Sequence, residues 1–187
     1  VYRKTTDGGA TWSSTTTVDA QTDCVAISVW YDRWTPGSAS SSIHIATLDT
    51  SSDIVWYNRL DTSGDTLLLG NTPVNAAVNS SQTGVITAGQ NQVSITRGTN
   101  GTLYIASIDG TDSYVVRCTV TCNTTTNWTE AGTNPFGRTN NYTILAPLLG
   151  GNILAIHRDV VLEDMGSKVY DSGTNTWDTS TTTFDLN

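Results

Sequence analysis

Four times along this chain a strand runs into a polar turn and returns through a short segment that closes on a large apolar residue. The first copy occupies residues 1–12. The second is Ile54-Val55-Trp56-Tyr57-Asn58-Arg59-Leu60, the turn Asp61-Thr62-Ser63-Gly64-Asp65, then Thr66-Leu67. The third runs from Tyr114-Val115-Val116-Arg117-Cys118 through a longer turn to Asn127-Trp128. The fourth is Lys168-Val169-Tyr170, the turn Asp171-Ser172-Gly173-Thr174-Asn175, then Thr176-Trp177. A period of roughly 50–60 residues marks a repeat architecture, in which each unit is one supersecondary block.

Upstream of the last three hairpins lies a strand of small and β-branched residues. These are Ile43-His44-Ile45-Ala46-Thr47-Leu48-Asp49, Leu103-Tyr104-Ile105-Ala106-Ser107-Ile108-Asp109 and Ile153-Leu154-Ala155-Ile156-His157-Arg158-Asp159. Before each lies one further strand, at 25–31, 93–96 and 142–148. Four strands per unit is the pattern of a β-propeller blade. The runs are short, dense and β-branched, which reads as sheet packed on both faces and excludes a helix. Lys4 and Lys168 are the only lysines, Glu130 and Glu163 the only glutamates, so helix formers are scarce as well. The expected architecture is all-β: four-stranded antiparallel blades, about three and a half of them, part of a larger ring. The expected bounds are a half blade at 1–20, blades at 21–75, 85–132 and 138–180, and an extra strand at 181–187. That last strand is expected to start the next blade or to pair with a neighbouring chain.

Thr5-Thr6-Asp7-Gly8-Gly9-Ala10-Thr11-Trp12 resembles the Asp-box of the BNR-repeat β-propellers in the sialidase-like superfamily. Thr5, Asp7, Gly9, Thr11 and Trp12 match every position of its Ser/Thr-x-Asp-x-Gly-x-Thr-Trp motif. The stretches at 61–67 and 171–177 are degraded copies. A carboxylate at Asp7 can accept hydrogen bonds from turn N–H groups, and Gly8 and Gly9 permit positive φ. Trp12 is then expected to bury its ring between sheets. The resemblance implies that the box is structural and lies away from the substrate pocket.

The resemblance also implies what sialidase chemistry would need: three arginines around a substrate carboxylate, a Tyr nucleophile paired with Glu, and an Asp acid/base. Arg33, Arg97 and Arg158 stand near the ends of inner-type strands and are the triad candidates, with Asp32 as a candidate carboxylate. Against this, Arg33 and Arg158 each have an acidic neighbour to pair with, and the family's Phe/Tyr-Arg-Ile-Pro segment is absent. Glu130 and Glu163 sit in expected loops. His44 and His157 read as equivalent repeat positions, which points to packing.

Cys118 and Cys122 stand four apart and form a candidate disulfide closing a hairpin loop, or two free thiols on one strand. Cys24 is left over. No paired ligand spacing supports zinc, so no metal or cofactor is expected; calcium at Asp-rich turns such as 61–65 has no supporting loop pattern. Sequons at Asn79, Asn100, Asn123, Asn127 and Asn141 are glycosylation candidates. The net charge of −8 speaks against nucleic acid, and no apolar stretch approaches the roughly 20 residues of a membrane span. These features suggest a secreted or cell- or virion-surface module, non-catalytic and structural or glycan-binding, whose partners are glycans or copies of itself. A sialidase-like glycoside hydrolase is the alternative. Trp30, Trp34 and Trp56 are candidates to stack on sugars.

Overall fold

A computed structural model describes residues 1–50, 54–77, 92–109, 112–132, 140–159 and 164–184. They form three antiparallel sheets in sequence order, and the chain is all-β. The first sheet orders β1 (Cys24–Tyr31), β2 (Ser42–Asp49), β3 (Ile54–Asp61) and β4 (Thr66–Leu67), with β5 (Val74–Asn75) also on β3. The second orders β6 (Val93–Arg97), β7 (Leu103–Asp109), β8 (Asp112–Cys118) and β9 (Trp128–Glu130). The third orders β10 (Asn140–Pro147), β11 (Ile153–Asp159), β12 (Met165–Asp171) and β13 (Thr176–Trp177), with β14 (Thr182–Phe184) also on β12.

The dense middle strands are explained by burial on both faces. On β7, Leu103 and Ile105 pack with Leu48, Val55 and Tyr57 of the first sheet, while Tyr104 and Ala106 pack with Leu145, Ile153 and Tyr170 of the third. The closing large residue of each of the last three repeats docks onto the end of its neighbour strand: Leu67 opposite Leu60, Trp128 opposite Cys118, Trp177 opposite Tyr170. Trp128, the faintest repeat in the sequence, is fully buried against Tyr57.

Two side-chain latches join the sheets along β1, β6 and β10. Ser28 Oγ accepts the Ile95 N–H at 3.1 Å, and Ser94 Oγ accepts the Leu145 N–H at 3.1 Å. In register Ser28 faces Ala46 and Ser94 faces Ala106. The third sheet carries Ile144, opposite Ile156, at that position. Ser94→Ala leaves the buried Leu145 amide without its acceptor, so unfolding in urea is expected to show a loss of about 1–3 kcal/mol. A loss near zero would mean that the latch carries no stability.

The hairpin at 2–16 is held by the Tyr2–Thr16 bridge and by the Ser13 N–H on the Lys4 carbonyl. Its turn is built around Asp7. Thr11 N–H (3.0 Å) and Thr5 Oγ1 (2.7 Å) donate to Oδ1, and Thr11 Oγ1 donates to Oδ2 (2.6 Å). These bonds hold the Asp7 carboxyl well below the usual carboxylate range, with those from Thr11 contributing most. Gly8 and Gly9 take φ of 72° and 98° there. Trp12, however, is 57% exposed, not buried between sheets. The hairpin meets the first sheet through Tyr2 and Val18, which pack with Ile45, Leu60 and Leu67, and through Lys4 and Tyr2 on Asp65. The Trp12 ring takes no part in that contact. The expected terminal strand also differs: β14 turns back onto β12, pairing Met165 with Phe184. It occupies the same side of its sheet as β5 does on β3, because β4 and β13 are each only two residues long and leave most of that edge free.

Candidate functional site

Where β1 ends, the chain tightens into a 3-10 turn, Asp32–Trp34, which carries Asp32 inward to 3% exposure. On β2, His44 lies opposite Arg59 of β3. Tyr57 stands two residues before Arg59, so period-two alternation puts His44, Tyr57 and Arg59 on one face. His44 Nε2 meets Asp32 Oδ1 at 2.8 Å, and His44 Nδ1 meets the Tyr57 hydroxyl at 2.8 Å, with the two rings stacked. An ionised carboxylate can only accept, so Nε2 carries the imidazole hydrogen and the Tyr57 O–H donates to Nδ1. The result is a Tyr–His–Asp relay.

Asp32 is held by more than His44. Arg97 Nη1 donates to its Oδ1 at 2.8 Å, and the Ser42 N–H donates to Oδ2 at 3.2 Å. Burial pushes the Asp32 carboxyl up, but the His44 hydrogen bond, the Arg97 charge and the Ser42 N–H together hold it below its ordinary value. Burial lowers the His44 pKa, offset in part by Asp32, so the ring is neutral at pH 7. Burial also pushes the Tyr57 phenol well above its ordinary value, so it is a protonated donor.

These side chains open onto a cleft of about 230 Å³ between the first and second sheets. Asp32, His44, Tyr57, Arg59 and Arg97 line it together with the loop Thr119-Val120-Thr121-Cys122. That loop is closed by a disulfide between Cys118 and Cys122. Arg59 Nε is buried and meets no hydrogen-bond acceptor among the described residues. The cleft is small beside the ~300–1,000 Å³ of sites that bury a drug-sized ligand, and suits one sugar ring. Chemically it offers a neutral proton relay and a guanidinium whose Nε is unpaired.

The neutral His44 has a consequence for stability. Its folded pKa is depressed, so the unfolded chain binds the extra proton first. Stability is full above 6.5, the ordinary value, and falls as pH drops below it. The urea midpoint is expected to decline from neutral to mildly acidic pH, and to decline less in His44→Gln. An equal decline in both would overturn this assignment.

Of the residues singled out from sequence, the fold brings Asp32 and Arg97 together. It does not bring Arg33 or Arg158 to them: both are exposed, and neither lines the cleft. Asp32 takes Arg97 and His44 as partners rather than its neighbour Arg33. The two histidines are not equivalent: His44 pairs with Arg59, whereas His157 pairs with Gly166, three places further along its strand. Glu130 lies on β9, while Glu163 and Asn79 are outside the described residues, as is the Asn141 side chain. Asn100 is exposed and its Oδ1 accepts the Thr102 N–H. Asn123 is half-buried, and Asn127 Nδ2 donates to the Thr121 carbonyl. Trp34 is exposed, and Trp30 is tied to Thr35 through its Nε1. Trp56 is half-buried. Cys24 carries a free thiol at the surface. No group of three or more metal-ligating side chains occurs among the described residues, and no helix among them is long and apolar enough to cross a membrane.

No family model and no curated protein matches the chain. Solved structures do. It is similar to a PL25 polysaccharide lyase, an ulvan lyase, bound to -[GlcA(1-4)Rha3S]-, with a TM-score of 0.58 and 9% identity over 76% of this chain and 35% of that one. It is also similar to 1,3Gal43A, an exo-β-1,3-galactanase from Clostridium thermocellum, with a TM-score of 0.51 and 11% identity over 84% of this chain and 34% of that one. The chain thus spans about a third of the length of these structures. At such identities the likeness is one of fold alone: an all-β architecture of antiparallel sheets.

Proposed function

We propose that the cleft is the active site of a glycan-degrading module that cleaves a uronate-containing polysaccharide by β-elimination. The observation that carries this reading is the Tyr57–His44–Asp32 relay beside Arg59, whose Nε has no partner among the described residues. Elimination next to a uronate carboxylate needs three things: a guanidinium to neutralise the carboxylate, a base for the proton on C5, and an acid for the leaving oxygen. Arg59 meets the first need. Tyr57 Oη takes the C5 proton as its own proton passes to His44 Nδ1, with Asp32 stabilising the imidazolium. The C4–O bond breaks, a C4=C5 double bond forms, and the leaving oxygen takes a proton back through Tyr57. The net change moves one proton from carbon to oxygen and consumes no water. The neighbour bound to a glucuronate-containing saccharide supports this choice of substrate class.

The three sheets are read as blades of a larger β-propeller, with the Asp7 hairpin as the end of a preceding blade in the Asp-box manner. A disulfide in the cleft wall suits an oxidising, extracellular setting. Sialidase chemistry has less support, because Arg33 and Arg158 stand apart from Arg97. A second reading, a glycan-binding module without turnover, is favoured by the 1% exposure of Tyr57. Incubation with a panel of uronate polymers separates the two, read by the ultraviolet absorbance of the conjugated product. The elimination reading expects absorbance to rise on at least one polymer. Saturable binding with no rise on any of them would leave the binding module.

A further inference from the structure

The cleft at Tyr57 continues past Arg97. A second hollow of about 360 Å³, lined by Thr35, Gly37, Ser38, Ala39 and Thr99 among others, meets it along Ser40, Arg97 and Gly101, which line both. Arg97 forms the ridge between them. Its Nη1 donates to Asp32 and to Ser38 Oγ (3.1 Å), and its Nε donates to the Gly101 carbonyl (3.3 Å). A guanidinium has five N–H donors. The two on Nη2 have no acceptor among the described residues, and the side chain is 23% exposed.

The walls of this hollow are tied before any ligand arrives. Thr35 Oγ1 accepts Trp30 Nε1 at 2.9 Å and donates to the Arg97 carbonyl at 3.0 Å, which joins the 35–40 loop to β6. Opposite, the Gly98 N–H donates to the Thr102 carbonyl and the Gly101 N–H to the Gly98 carbonyl. Preformed walls reduce the ordering that binding must otherwise overcome. Hydroxyls and glycines line a surface that a sugar can approach closely, with one fixed cationic edge.

We propose that this hollow is a second saccharide subsite, and that Arg97 Nη2 holds an oxyanion, carboxylate or sulfate ester, on the sugar next to the one in the cleft. The inference rests on the reading of the cleft as a uronate site. It makes the substrate a chain with acidic groups on adjacent units, and Arg97 the residue that sets which units fit.

The test is calorimetric binding to the Tyr57→Phe protein, in which turnover is slowed far below the time of a titration. The probes are methyl glucuronide, the disaccharide GlcA(1-4)Rha3S, the same disaccharide after desulfation, and digalacturonic acid. At least one anionic disaccharide is expected to bind about tenfold more tightly than the monosaccharide, with desulfation removing the gain if sulfate is the group held. Digalacturonic acid showing the gain would identify carboxylate instead. Ala39→Trp, which fills the exposed side of the hollow, is expected to erase the gain and leave monosaccharide affinity unchanged. Equal affinity for all disaccharides and the monosaccharide, or a full gain with the desulfated one, overturns the subsite while the uronate site stands. No binding by any probe overturns the uronate reading and this inference with it.

Discussion

Tyr57→Phe is expected to lower turnover of a uronate polymer by about 10²–10⁴-fold, the usual contribution of a positioned general acid or base. The substitution removes one oxygen. It keeps the ring that packs on His44 and Trp128, so the fold should persist. His44 Nδ1 then loses its donor and the C5 proton loses its acceptor. The apparent affinity for polymer should change little, because the arginines that face the substrate's charge remain. Near-wild-type turnover in this variant would show that the relay is structural.

Asp32→Ala carries the largest expected cost in stability, about 3 kcal/mol, the lower end for removing one partner of a buried ion pair. Three groups lose their acceptor together: His44 Nε2, Arg97 Nη1 and the Ser42 N–H. The partial exposure of Arg97 keeps the figure at that lower end, since water can reach its guanidinium. Adding Arg97→Met should recover part of the loss, because the unpaired charge goes with it. Urea unfolding of the two variants measures both effects. A loss below about 1 kcal/mol for Asp32→Ala would place the pair with exposed surface pairs.

Much of this was legible in the sequence. The repeated strand order and the turns at 61–65 and 171–175 follow from β-branched runs ending in Asp and Gly. Asp65 and Asn175 take the left-handed conformation at matching places in those turns. Asp32 and Arg97 were visible as candidates, but their partners were not. Tyr57 and Arg59 sit in a run, Ile54 to Leu60, whose apolar density reads as core. Only laying β2 antiparallel against β3 puts His44 opposite Arg59. Compared in that register, the second sheet keeps the arginine, as Arg117, and replaces His44 with Tyr104 and Tyr57 with Val115. The relay is therefore particular to the first sheet, a distinction that repeat symmetry hides. The exposure of Trp12 was hidden for another reason: a local motif sets the turn, while burial depends on what lies across from it.

The serine latches bear on how the molecule opens. Within a sheet, backbone ladders let each set of strands breathe as its own unit. The Ile95 and Leu145 amides are committed across sheet boundaries instead, so separating two sheets exposes a donor in one and an acceptor in the other at the same moment. Fluctuations of neighbouring sheets are therefore coupled, and the cleft between the first two inherits that coupling. At the third sheet the same place holds Ile144, 58% exposed. Whatever approaches there meets a greasy contact in place of a polar clasp, and the cooperative chain of latches ends at that seam.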